Sequence, residues 1–76
     1  MPRYFFHLRD GSDVPDDTGT EFPDDNAARS AALVFSGESL GDLGDKFWTG
    51  EPWCVQVVRE DGKQICQLTF SAQDGW

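Results

Sequence analysis

Trp53-Cys54-Val55-Gln56-Val57-Val58-Arg59, then Glu60-Asp61-Gly62-Lys63, then Gln64-Ile65-Cys66-Gln67-Leu68-Thr69-Phe70 is the stretch on which the fold turns. Two alternating runs rich in β-branched and aromatic side chains meet at an Asp-Gly pair, the pattern of a β-hairpin closed by a two-residue type I′ turn. With Asp61-Gly62 as the loop, Trp53 opposes Phe70, Val55 opposes Leu68 and Val57 opposes Cys66 on one face. The other face receives Cys54 with Thr69, Gln56 with Gln67 and Val58 with Ile65. Opposed side chains share a face of an antiparallel ladder, so one side of this hairpin is wholly apolar and the other half polar, as in a sheet covered on one side. Glu60 and Lys63 then flank the turn as an exposed pair.

Working outward, Arg3-Tyr4-Phe5-Phe6-His7-Leu8-Arg9 reads as a strand ended by Asp10-Gly11, with Tyr4, Phe6 and Leu8 on one face and Phe5, His7 and Arg9 on the other. Ser12 to Pro15 can pair back as an edge strand that the proline terminates. From Asp16 to Pro23 the chain is turn-like, with Gly19 as the positive-φ position. A helix follows, capped by Asp24 or Asp25, whose carboxylate accepts from free first-turn amides. Ala28, Ala32, Phe35 and Leu43 recur on one side at 100° per residue, flanked by Leu40, and that side faces the sheet. Gly37, Gly41 and Gly44 weaken the second half and end the helix between 40 and 44.

The expected fold class is therefore α+β in the order β-β-α-β-β: a single domain over residues 1–76, with two hairpins in one antiparallel sheet and a single helix on one face. At 76 residues there is room for one core only. The uncovered face would carry Phe5, Val58 and Ile65, a patch able to meet a partner or a second copy of the chain.

Fourteen acids against six bases give a net charge of −8, which argues against direct nucleic-acid binding and against docking on anionic membranes, and favours a basic protein partner. The N-terminal apolar stretch is interrupted by His7 and closed by Arg9 and Asp10, too short for a signal-peptide core or a membrane span, so a cytoplasmic location is expected. Cys54 and Cys66 fall on opposite faces of the hairpin and are expected as free thiols. One histidine with two separated cysteines is too few ligands for a zinc site. No metal or other cofactor is expected.

Seven acids and no base lie between Arg9 and Arg29: Asp10, Asp13, Asp16, Asp17, Glu21, Asp24 and Asp25. Asp is the residue of turns and N-caps, which accounts for several of them. The functional reading makes Asp10, Asp13, Asp16, Asp17 and Glu21, together with Phe5, Val58 and Ile65, a surface for a protein partner. The spacing does not match a calcium loop, since the sixth residue from Asp16 is Glu21 and the third from Asp13 is Pro15. His7 reads as an ordinary surface residue and Cys54 lacks an evident base, so no catalytic residue is assigned. Trp48 and Trp53 bracket residues 49–52 as a lid over one end of the core.

The opening MPRYFFHLRDG, Gly19-Thr20-Glu21, Pro23-Asp24, the Ala-rich helix and the Trp-led Asp-Gly hairpin together resemble a family of small uncharacterised proteins, a domain of unknown function frequent in rhizobia and related alphaproteobacteria. The likeness spans nearly the whole chain, departs at the glycines 37, 41 and 44, and implies no activity or functional residue. The expected function is a small acidic, non-enzymatic protein-binding module acting by surface recognition. The alternative is a mimic of nucleic-acid phosphates that inhibits a DNA- or RNA-binding enzyme of restriction or CRISPR type.

Overall fold

The computed structural model describes residues 1–49 and 52–72. In chain order the elements are β1 (Arg3–Arg9), β2 (Asp13–Val14), β3 (Thr20–Glu21), α1 (Asp25–Leu43), α2 (Asp45–Thr49), β4 (Trp53–Arg59) and β5 (Gln64–Phe70). All strand pairs are antiparallel, in the order β2-β1-β4-β5, with β3 also on β1. The α+β reading with one main helix holds. The second short strand and α2 are additions, because two-residue strands and a single helical turn leave almost no periodicity to detect.

The core lies between α1 and the sheet. Tyr4, Trp53, Val55 and Val57 are buried from the strands and Ala28, Ala32 and Ser36 from the helix. Alanines there allow the helix to approach β4 closely, and Ser36 is accommodated because its hydroxyl donates to the Ala32 carbonyl at 2.7 Å, leaving no donor unpaired. Phe22 closes the N-terminal end against Tyr4 and Phe6. Phe35 reaches both Phe6 and Trp53. Trp53 is thus a core residue and not a lid, while Trp48 remains 59% exposed on α2, edge-on to Phe47; the stretch they bracket includes residues 50 and 51, outside the described set.

Asp24 caps α1, its Oδ1 accepting from Ala27 N–H at 2.8 Å, and Gly44 ends it at φ +55 with its N–H donating to Leu40 O. Capping and termination therefore fall where the sequence puts them.

The decisive hairpin keeps the expected register from Trp53–Phe70 to Val57–Cys66 but departs from it nearer the turn, where Val58 opposes Gln64. Arg59 N–H donates to Lys63 O and Gly62 N–H to Arg59 O, both at 2.8 Å. These bonds enclose a three-residue loop, Glu60-Asp61-Gly62, with Gly62 alone at positive φ (+90). The turn is not type I′, because that type requires Asp61 at positive φ as well; it is a turn followed by a left-handed glycine. The longer loop shifts the pairing by one residue and a bulge at Ile65 shifts it back. Ile65 consequently packs against the helix-side core and does not share the open face with Val58. Asp61 holds this geometry, accepting from Lys63 N–H and pairing with Arg59 at 2.9 Å. The ion pair at the turn is Arg59–Asp61, in place of the expected Glu60–Lys63.

Candidate functional site

The sheet face away from α1 presents Phe5, His7 and Arg9 from β1, Cys54, Gln56 and Val58 from β4, and Gln64, Gln67 and Thr69 from β5, with Gln56 Nε2 donating to Gln64 Oε1 at 2.7 Å. An open groove of about 520 Å³ crosses it. His7, Cys54, Gln56 and Gln67 line its floor, and Arg9, Asp13, Val14 and Pro15 its rim.

The acidic segment between β2 and β3 is organised around Asp16. Its Oδ1 accepts from Thr18 N–H and Gly19 N–H at 3.1 and 3.0 Å, and its Oδ2 from Phe6 N–H at 3.1 Å. By strand alternation Phe6 N–H points to the outer side of β1, in the gap between Leu8–Val14 and Tyr4–Thr20. The carboxylate of Asp16 thus takes the place a neighbouring strand's carbonyl would have, and the interrupted edge is sealed by a side chain. Burial works against the charged form of Asp16, but the backbone donors Gly19, Phe6 and Thr18, helped by His7, outweigh it and hold the carboxyl below the ordinary range.

Asp16 N–H donates in turn to His7 Nδ1 at 3.1 Å. His7 is half-buried and stacks parallel to Phe5, so it is a loop anchor rather than an ordinary surface residue. With Nδ1 accepting, the ring proton of the neutral imidazole sits on Nε2. The loop then passes over Phe5: a Cβ built on Gly19 (φ +77) would lie 2.7 Å from Arg3 Cγ and 2.9 Å from Phe5 Cε1.

The other acids distribute as follows. Asp13 pairs with Arg9 at 2.7 Å and Glu21 with Arg3 at 3.7 Å. Asp24 is the cap, and Asp25 accepts from Tyr4 Oη at 2.6 Å while pairing with Arg59 at 2.9 Å. Of the seven acids between Arg9 and Arg29, Asp10 and Asp17 carry exposed carboxylates with no side-chain partner among the described residues. Of the eight residues singled out from sequence, the structure therefore brings only Asp13 to the groove. Phe5 and Val58 share the open face beyond its end, Asp16 is turned inward, and Ile65 lies on the opposite side of the sheet. His7, Gln56 and Gln67 were missed as groove residues because alternation places them on the face without assigning them a purpose.

Cys54 and His7 are diagonal neighbours on this face, and Thr69 Oγ1 donates to Cys54 Sγ at 3.7 Å. Cys66 is half-buried on the helix side, where burial pushes its thiol up. The two cysteines are separate free thiols. Among the described residues no three His, Cys, Asp or Glu side chains converge as metal ligands, and no described helix is long and apolar enough to cross a membrane.

Residues 3–71 match the model of a family described as a domain of unknown function (DUF6894), and the chain belongs to that family. No curated protein and no solved structure matches it.

Proposed function

We propose that this member of the DUF6894 family is a small non-enzymatic binding module that receives a protein partner in the groove on its uncovered sheet face. The observation that carries the reading is the contrast between the two faces. Helix α1 closes one side, while the other holds an open groove whose floor offers the Gln67 amide, the Gln56 amide already bonded through Nε2 to Gln64 Oε1 at 2.7 Å, and the Cys54 thiol, and whose rim offers Pro15. Mixed apolar and amide surfaces of this kind suit a peptide segment, which needs both contact area and hydrogen-bond partners. The Arg9–Asp13 pair at the rim and the exposed Asp10 favour a partner with a basic residue beside its apolar one.

The state of His7 supports binding over catalysis. A thiol nucleophile at Cys54 would need a base with a free lone pair, but Nδ1 of His7 already accepts from Asp16 N–H and Nε2 bears the proton. Within the acidic segment the phosphate-mimic alternative has less support, since five of its seven acids, Asp13, Asp16, Glu21, Asp24 and Asp25, have internal partners, and an array of uncommitted outward carboxylates is what such a mimic presents.

The test is a quantitative capture experiment with the intact protein and its Gln56→Arg, Asp13→Asn and Asp17→Asn variants. A partner lost at least tenfold with Gln56→Arg, and retained when 0.5 M salt is added, supports groove recognition. Capture indifferent to Gln56→Arg overturns it, and capture that collapses in salt with Asp13→Asn or Asp17→Asn moves the reading to the electrostatic alternative.

A further inference from the structure

We infer that the chain associates with a second copy of itself by pairing β5 with β5 across a two-fold axis, extending the sheet and bringing two α1 helices side by side. This surface meets the groove at Gln67, whose side chain lines the groove floor, but the pairing uses the outward backbone groups of β5 and does not depend on what the groove binds.

The two edges of the sheet are built differently. The β2/β3 edge consists of two-residue strands interrupted by Pro15, carrying Asp13 and Glu21 and sealed by Asp16, all devices that discourage strand pairing. The β5 edge is seven residues long, Gln-Ile-Cys-Gln-Leu-Thr-Phe, without proline or charge. Among the described residues it pairs only with β4. Arg59 N–H points to β5 and Glu60 N–H to Arg3 O on β1, and this fixes the alternation. Phe70, Leu68 and Cys66 turn their backbone groups toward β4, and Gln67 and Thr69 turn theirs outward.

The core is also unfinished at this edge. Trp53, Val55 and Val57 on β4 are buried, whereas Cys66, Leu68 and Phe70 opposite them are only half-buried. The flank of α1 above them is identifiable. Ala31, Val34, Phe35 and Glu38 border the cavity on the β1/β3 side with Phe6 and Thr20, and the charge of Arg29 is felt at Cys66. By 100° steps Leu33, Gly37 and Leu40 share the Arg29 flank, over β5. Leu33 is 60% exposed, and a Cβ on Gly37 would meet nothing within 4 Å.

Self-association is what this strip fits. The chain carries −8 overall, so two copies repel across almost any shared face, yet β5 and the Arg29–Leu40 flank hold no Asp or Glu. Two-fold pairing centred on Gln67 sets Cys66 against the partner's Leu68 on the helix side, and each Gln67 opposes its mate. The spacing closes as well. Strands lie about 4.8 Å apart, and α1 packs on both β4 and β5, so its axis falls about 5 Å from the dyad and about 10 Å from its mate, near the ordinary distance between packed helices.

Sedimentation equilibrium of the intact protein over 5–200 µM, roughly the range for a modest small-domain dimer, should give twice the 8.5 kDa chain mass at the upper end. Gln67→Pro removes only an outward N–H and leaves the β4 ladder intact; Leu33→Lys changes an exposed helix position. Each should raise the dissociation constant at least tenfold while the circular dichroism spectrum is kept, and dilution to the monomer should release the Gln67 and Thr69 amides to fast hydrogen exchange. A single-chain mass at 200 µM overturns the proposal, as does a dimer that Leu33→Lys leaves at full affinity. If Gln67→Pro fails to fold, Leu33→Lys and the exchange of the two amides decide it alone.

Discussion

Among the described loop residues, Asp16 concentrates the most structure. Three backbone donors converge on its carboxylate and its own N–H fixes His7. Asp16→Ala leaves those donors to find water in a half-buried loop, and the expected destabilisation is about 1–3 kcal/mol in urea unfolding. Asp16→Asn should lose less, because Oδ1 keeps its Thr18 and Gly19 bonds and only the Phe6 amide faces a donor. Gly19→Ala meets both a positive φ of +77 and contacts under 3.0 Å with Arg3 and Phe5, so a loss of about 1–3 kcal/mol is expected for strain and displacement together. A Gly19→Ala variant with an unchanged urea midpoint would mean the loop does not bear on Phe5. Asp and Gly at these positions announce a turn in sequence. That the turn's carboxylate plugs the sheet edge could not be read there, since the contact spans ten residues and depends on where β2 stops.

At the scale of elements, the last hairpin shows how a correct register can come from a wrong turn. The sequence pattern pairs Val57 with Cys66 by way of a two-residue loop, and the chain reaches the same pair through a three-residue loop and a compensating bulge. Two reasons favour the second route. Only Gly62, and not Asp61, then takes a positive φ, and Ile65 turns from water into the core, an apolar burial worth about 1–2 kcal/mol. Ile65→Ala should therefore destabilise by about 1–2 kcal/mol, more than Val58→Ala on the open face, with both read from chemical denaturation. Equal losses would return Ile65 to the uncovered side. Alternation made the faces legible, and the 100° recurrence with its Asp and Gly signals made the helix and its caps legible, because each is set by neighbours within a few residues. The bulge was not legible, because the gain that selects it lies across the core in α1. The groove was half legible: its face followed from period two, but its rim depends on where β2 and Pro15 stand beside β1.

For the molecule as a whole, Arg59 is the link between helix and hairpin. It pairs with Asp61 at the turn and Asp25 in the first turn of α1, while the Tyr4 hydroxyl donates to the same Asp25 carboxylate. The Arg59 guanidinium holds the Asp61 carboxyl below its usual value. For Asp25 the Tyr4 hydroxyl bond leads, and with Arg59 it overcomes the opposing effect of burial. Burial, then the Asp25 carboxylate, pushes the Tyr4 phenol up, so it stays a donor throughout the acid range. Both carboxyls are depressed in the folded state, and their contribution is therefore fully present above the unfolded value near pH ~4 and is lost as pH falls below it through each folded value. The urea midpoint of the intact protein should hold level from pH 7 to about pH 5 and decline below about pH 4. Asp25→Asn with Asp61→Asn should start from a lower midpoint at pH 7 and decline less steeply in acid, because two of the groups that bind protons on unfolding are gone. Asp13 and Asp16, also depressed, keep that slope from vanishing. A double variant with the slope of the parent would show that the clamp does not couple α1 to the hairpin, and that helix and sheet are held by the Tyr4–Ala28–Ala32–Val57 packing alone.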